Sequence, residues 1–234
     1  FTPHKSYYGN CTDRLAYIFK EKLDKIFAVE LGLSSDTELA DEITELETKT
    51  FLTNSDAHSL PKIAREYNKM LVEEISFQEI VKALKGEDGR KILANYGLDP
   101  KLGKYHRTYC DDCNQTIETK EPVEICPKCG EKNITFGVFD RIELIKDKKE
   151  SKSPENRPKY IYQVPLSFIP GVGNKVMDKL LTHFGTEMNI LHKTTKDDLE
   201  AVVGDKIATA IVKAREGKAQ IQAGGGGVYG KVKE

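Results

Sequence analysis

Little in this sequence pulls toward an extreme. The formal net charge over 234 residues is −1, so no global basic field draws in nucleic acid. Any such contact has to come from local patches. No apolar run approaches the roughly 20 residues that a membrane-spanning helix needs, and no membrane partner is expected. No charged-then-apolar leader follows Phe1, and the chain reads as a soluble piece that begins inside a longer protein. The 18 glycines and nine prolines lack collagen periodicity and are too few for a broadly disordered chain. Cysteine is scarce. There are five, an odd number, with four in two close pairs, which speaks against a secreted disulfide framework and for a metal in a reducing compartment. A cytoplasmic protein is expected. Cys11 stands apart and reads as a small buried or half-buried thiol.

What is present divides into a multidomain α/β plus α arrangement. Residues 1–100 read as alternating strands and helices. Ile26–Leu31 and Thr50–Thr53 are strands, Asp36 caps an amphipathic stretch through Leu39, Ile43 and Leu46, and Ser59 with Pro61 opens a helix carrying Ile63 and Tyr67. A further helix, from Ser76 to about Lys85, has the capping-box form Ser76-x-x-Glu79. Residues 101–145 hold the paired cysteines and an alternating run, Thr135–Ile145. Residues 146–160 are charged and nearly free of large apolar side chains, as a linker is. Residues 161–223 are helical with glycine-bearing turns. Residues 224–234 open on four glycines, and by composition alone they read as a disordered tail.

Cys110-x-x-Cys113 and Cys126-x-x-Cys129 are two knuckles that converge on one tetrahedral four-cysteine site for structural Zn²⁺, a zinc ribbon. Four thiolates leave no open position, and a unit this small needs the metal's binding energy to fold. Its role is open between scaffold and nucleic-acid contact.

The turn Pro170-Gly171-Val172-Gly173 precedes a helix carrying Lys175, and Val203-Gly204-Asp205-Lys206 precedes Ile207–Arg215. Glycines there let another backbone approach the free amides of a helix start, an arrangement suited to a phosphate oxygen. These residues resemble the tandem helix-hairpin-helix module of DNA ligases and repair nucleases. The second turn, with one glycine, fits that pattern less well than the first. Gly171, Gly173, Lys175, Gly204 and Lys206 are the contacts to double-stranded DNA that the resemblance implies.

Asp56 and His58 follow the second strand, where residues i and i+2 on extended backbone point the same way and can share a metal. The segment Phe51-Leu52-Thr53-Asn54-Ser55-Asp56-Ala57-His58-Ser59 resembles the last metal motif of the PHP (polymerase and histidinol phosphatase) family, whose fold is a distorted barrel of seven strands. Only two strands are evident here, so residues 1–100 are expected to be the C-terminal part of such a (β/α)7 barrel. A set of motifs then follows in one order. Phe1-Thr2-Pro3-His4-Lys5-Ser6 and Ala28-Val29-Glu30-Leu31-Gly32 come first, then the Asp-Ala-His motif, the ribbon and the hairpins. The tail of four glycines with Val228, Tyr229 and Gly230 comes last, and the whole order is similar to that of the endonuclease Q family.

That resemblance implies a metal-dependent DNA-repair endonuclease. It would cut on the 5′ side of uracil, hypoxanthine or xanthine, or at abasic sites, with Zn²⁺, Mg²⁺ or Mn²⁺ on the catalytic pair Asp56 and His58. Half the ligand set would lie outside this chain, so the chain alone is expected to be inactive. His4 is open between metal, phosphate and solvent; Lys5 with Tyr7 and Tyr8, and Tyr229 in the tail, between DNA contact and plain exposure. Glu30 is read as buried and paired, and Lys62 and Arg65 as facing solvent or phosphate. A non-catalytic DNA-binding accessory and a PHP phosphatase are the competing functions.

Overall fold

The computed structural model describes residues 1–3 and 5–233. The short helix α1 (Leu15–Phe19) leads into β1 (Ala28–Glu30), α2 (Thr37–Ala40) and β2 (Thr50–Leu52). Asp36 caps α2 as expected, its carboxylate accepting from the Leu39 amide at 2.8 Å. β1 and β2 pair in parallel with Val29 opposite Phe51. The helix expected after Pro61 is absent. A single 3-10 turn at Leu60–Lys62 ends with Ala64 in left-handed backbone (φ +60), and Tyr67 then opens β3 (Tyr67–Leu71). Tyr67 stacks on Tyr96 at 4.4 Å, and this cross-strand pairing overrides the local helix-start signal.

Helix α3 (Phe77–Lys85) starts at Ser76, whose hydroxyl accepts from the Glu79 amide, and stops at Gly86 in left-handed backbone. The expected box is half formed. The Glu79 carboxylate takes the Glu73 amide and Arg90 instead of reaching back to Ser76. Strand β4 (Lys91–Leu98) pairs antiparallel with β3. The three short strands β5 (Tyr109–Cys110), β6 (Gln115–Thr116) and β7 (Ile134–Thr135) form the cysteine ribbon. The alternating run after them is helix α4 (Val138–Ile145). Its Val138, Ile142 and Ile145 belong to the first core, with Leu31, Ile43 and Phe51.

Residues 146–160, read as a linker, form a pinned strap. Arg157 binds the buried Asp41 carboxylate at 2.6 Å, donates to the Leu46 carbonyl at 3.0 Å and lies 3.6 Å over the Phe51 ring. Ser153 and Lys148 also bond Asp41. The chain then enters β8 (Lys159–Gln163), which adds in parallel to β4 and completes the order β3-β4-β8. Four helices follow, α5 (Asn174–Phe184), α6 (Glu187–His192), α7 (Lys196–Val203) and α8 (Asp205–Arg215), around a core of Leu180, Ile190, Leu199 and Ile211. That core takes in Leu98 and Leu102, so the helical unit is packed onto the sheet. The chain closes with β9 (Ile221–Gln222) paired to β10 (Lys231–Val232), and the glycine stretch is the loop between them. It is an ordered loop within the fold, with Gly224, Gly225 and Gly230 buried.

Candidate functional site

The segment after β2 is held by amides rather than by apolar packing. Asn68 on β3 exchanges two hydrogen bonds with the Thr53 backbone, at 2.9 Å to its N–H and 2.8 Å to its carbonyl. Asn95 on β4 donates to the Phe51 carbonyl and to Asn68, both at 2.8 Å. The β2 end is thereby fastened to the three-stranded sheet. Beyond it, Arg65 donates to the Ser55 carbonyl at 2.8 Å. Asp56 sits at φ +44, a left-handed conformation that few non-glycine residues adopt. This turn, rather than a simple extended i, i+2 relation, brings Asp56 Oδ1 to 3.4 Å from His58 Nε2. Both side chains stand open to solvent, at 66% and 82% exposure, so the pair is accessible to an ion and to a substrate.

Asp56 and His58 line a cleft of about 760 Å³. Lys5, Lys62, Arg65 and Lys104 line it too, four cations against the carboxylates of Asp56 and Glu30. The cleft therefore favours an anion larger than one carboxylate. Glu30 is exposed, not buried as expected, because the third residue of a short strand has already reached the rim. Tyr8 is buried, stacked on Phe1 at 5.0 Å with its hydroxyl on Glu45; Tyr7 is exposed. His4 lies outside the described residues. Arg65 is committed to Ser55 and Tyr229 rather than to solvent. Asn68, Asn95 and Arg65 were missed as supports, since their partners are 10–44 positions away. Next to Arg65, Glu66 is buried, accepts from the Leu98 amide at 2.7 Å, and burial pushes its carboxyl up to about 8.

The four ribbon cysteines bring their sulfurs together, all within 4.8 Å of one another, close enough to hold a metal ion. The Cys129 backbone amide lowers the Cys126 thiol to about 6, while hydrogen bonding with the Cys129 sulfur pushes Cys113 to about 12. Cys11, expected to be buried or half-buried, is exposed and apart from them.

The two glycine turns differ. Gly171 (φ +86) and Gly173 are exposed, Ile169 and Val172 are buried beneath them, and α5 starts after Gly173 with no side-chain cap. Its first amides are thus free to bind an anion, and Lys175 stands exposed beside them. Gly204 (φ +81) likewise opens α8 without a cap, with Lys206 exposed. Here the first helical residue is Asp205, whose carboxylate holds Lys196 at 2.8 Å and Thr209 at 3.1 Å. A carboxylate at that place opposes a phosphate.

No protein-family model matches the chain. The crystal structure of the lesion-specific endonuclease Q from Pyrococcus furiosus matches 99% of this chain and 60% of its own, with a TM-score of 0.83 and 38% identity. The crystal structure of endonuclease Q with a 27-mer duplex substrate bearing an abasic lesion at the active site matches all of this chain, with a TM-score of 0.86 and 37% identity. Over its whole length the chain is similar to endonuclease Q in sequence and fold. The uncharacterised protein YqxK of Bacillus subtilis is 51% identical over the whole chain, which covers 59% of that relative. The uncharacterised protein MJ0043 of Methanocaldococcus jannaschii is 39% identical over 99% of the chain, 31% of its own length. The chain spans 61% of the duplex-bound endonuclease Q, less than two thirds of each protein named here.

Proposed function

We propose that this chain is part of a metal-dependent DNA-repair endonuclease that cuts duplex DNA on the 5′ side of deaminated bases or at abasic sites. The observation that carries the reading is the Asp56–His58 pair, open at the mouth of a cleft rimmed by four cations, in a chain built like an endonuclease Q that holds lesion-bearing duplex. The 3.4 Å between Oδ1 and Nε2 suits two donors of one divalent ion. Such an ion would activate water and neutralise charge on the phosphodiester. Among the described residues no third carboxylate, imidazole or thiolate joins this pair, so in this reading the remaining ligands lie outside the described residues. Lys5, Lys62 and Lys104 hold the DNA backbone along the cleft, and the cleft is large enough to receive an extruded nucleotide.

In this reading residues 1–100 are the C-terminal part of a PHP-type barrel, and residues 161–223 a tandem helix-hairpin-helix unit that grips phosphates, chiefly through Gly171, Gly173 and Lys175. Gly204 and Lys206 make a weaker second contact because of Asp205. The cysteine site is a structural zinc site. Tetrahedral zinc with bonds of about 2.3 Å sets its sulfurs about 3.8 Å apart. Here the Cys110 and Cys129 sulfurs stand 3.6 Å apart and those of Cys113 and Cys126 3.8 Å.

The test is cleavage of duplexes containing uracil, hypoxanthine or an abasic site, by the 234-residue chain and by the longer protein, each with Mn²⁺ or Mg²⁺. The chain alone should bind duplex without cutting it. The longer protein should cut, and Asp56→Asn should reduce its rate by about a hundredfold or more. Robust cleavage by the chain alone would refute the shared ligand set, and full activity in Asp56→Asn would remove this pair from the chemistry.

A further inference from the structure

The glycine loop leaves its Val228 side chain exposed, yet it is stitched to residues 101–107 by four backbone hydrogen bonds. Gly224 donates to the Lys101 carbonyl and accepts from the Arg107 amide, Gly227 donates to Lys104 and Gly230 to Leu102, at 2.8–3.1 Å. Four of its glycines, Gly224, Gly225, Gly226 and Gly230, are compelled by space. A Cβ on Gly226 (φ +58) would lie 2.4 Å from the Tyr109 ring, and one on Gly230 2.4 Å from the Lys101 carbonyl oxygen. So tight a seat fixes the path of the loop and hence the direction of Tyr229, the one aromatic side chain it carries.

Tyr229 reaches the wall of the Asp56–His58 cleft. Its hydroxyl accepts from Arg65 Nη1 at 2.6 Å, and the Lys104 ammonium lies 4.7 Å from its ring centroid. Through Nε, the same guanidinium holds the Ser55 carbonyl, one residue before the left-handed Asp56. A strained residue keeps its conformation only where its surroundings over-determine it. Arg65 does that here, and Tyr229 fixes Arg65. On its other side the Tyr229 ring meets the Phe168 edge at 5.4 Å and 89°. Phe168 directly precedes the Ile169–Gly173 turn, whose Ile169 and Val172 are anchored in the helical core.

We propose that Tyr229 is a positioning residue that couples the first glycine turn to the metal-ligand turn. A duplex seated on Gly171–Lys175 biases Phe168 and Tyr229, and through Arg65 it sets the Ser55–Asp56 backbone and so the Asp56–His58 geometry. The proposal rests on the reading of that turn as a duplex contact and of that pair as ligands, and its test separates the failures. The test is an NMR titration of the 234-residue chain with an undamaged duplex, followed to saturation. In the native chain, the amides of Gly171–Lys175 should shift together with the Ser55 and Asp56 amides and the His58 ring. In Tyr229→Phe, which keeps the ring and removes the hydroxyl, the shifts at Ser55, Asp56 and His58 should shrink by about threefold or more, while those at Gly171–Lys175 persist. Arg65→Lys, which keeps the charge and loses the fork, should behave alike. Undiminished shifts at Asp56 and His58 in both variants would mean that DNA touches the turn directly, and the coupling would be overturned. A response at Gly171–Lys175 with none at Asp56 in the native chain would overturn it as well, leaving the proposed function standing. No response at either place would take both down.

Discussion

Cys110, Cys113, Cys126 and Cys129 lie within one stretch of twenty positions, and their sulfurs converge in a small sheet with Ile117 and the buried Cys110 and Cys126 as its whole core. Asp56 and His58 are two positions apart, yet what holds them comes from β3, β4, Arg65 and the far end of the chain. The first site is closed and spends its donors on the fold. The second is open, carries under the proposed function only part of a ligand set, and is held in place by a scaffold that its own residues do little to stabilise. A site that needs only its own sequence neighbours can be structural at small size, whereas a site that must stay open to a substrate leans on remote parts of the molecule.

The largest separation between the two sites comes from withdrawing metal. Chelation, or Cys113→Ser, should remove on the order of 10 kcal/mol of local stability from the ribbon, because binding is its folding energy. Hydrogen exchange at the Ile117 and Ile134 amides would become fast while Ile43 and Phe51 stay protected. Ribbon amides that remain slow after chelation would abolish the contrast.

Proton concentration should pull the two sites in opposite directions. Thiolates take up protons on acidification and release their metal, so the ribbon weakens as pH falls. Beneath the open site, burial lifts Glu66 from 4.5 to about 8. Its native state therefore holds a proton that the unfolded chain has lost. That stability is fully present below 4.5 and drains away as pH rises toward 8, on the order of a few kcal/mol. Glu66→Gln should flatten this alkaline loss and raise Tm at about pH 8 with little change at about pH 4.5. Equal Tm values at the higher pH would show that the carboxylate is compensated.

A smaller effect tests the scaffold itself. Asn95 is fully buried and joins the Phe51 carbonyl to Asn68. Asn95→Ala takes this donor from the Phe51 carbonyl and leaves Asn68 Oδ1 with Thr53 alone, and it should cost about 2–3 kcal/mol in a denaturant titration. The exchange rates of the Thr53–Ser55 amides should rise more than those of the ribbon. Uniform loosening of the whole chain would mean that the open site has no scaffold of its own.

How much of this was legible in the sequence follows the same division. The cysteine knuckles and the glycine turns are local patterns whose residues lie together as their spacing suggests, whereas Asp56 and His58 meet through a left-handed turn and not through the extended backbone expected of them. The Asp36 and Ser76 caps were readable for the same reason. Strand β8 was not, since its partner β4 lies more than sixty positions earlier and its approach is a charged strap held by the single buried Arg157–Asp41 pair. Helix α4 was obscured because Val138–Ile145 serves the first core from beyond the ribbon. The glycine loop was opaque for a different reason. Its order comes from backbone contacts that glycine allows and composition does not reveal.

The smallest expected effect is the most telling about Asp56. Its side chain is 66% exposed, its one ion-pair partner among the described residues is His58, and its backbone is left-handed, which asparagine tolerates well. Asp56→Asn should therefore change stability by no more than about 0.5 kcal/mol. Paramagnetic broadening of the His58 ring by Mn²⁺ should nevertheless fall away with the carboxylate. A loss of more than about 1 kcal/mol would make Asp56 part of the scaffold and erase the distinction between the two sites. A neutral substitution that abolishes the metal response would show that this carboxylate does nothing for the fold, and that its place in a strained turn is explained by what it binds.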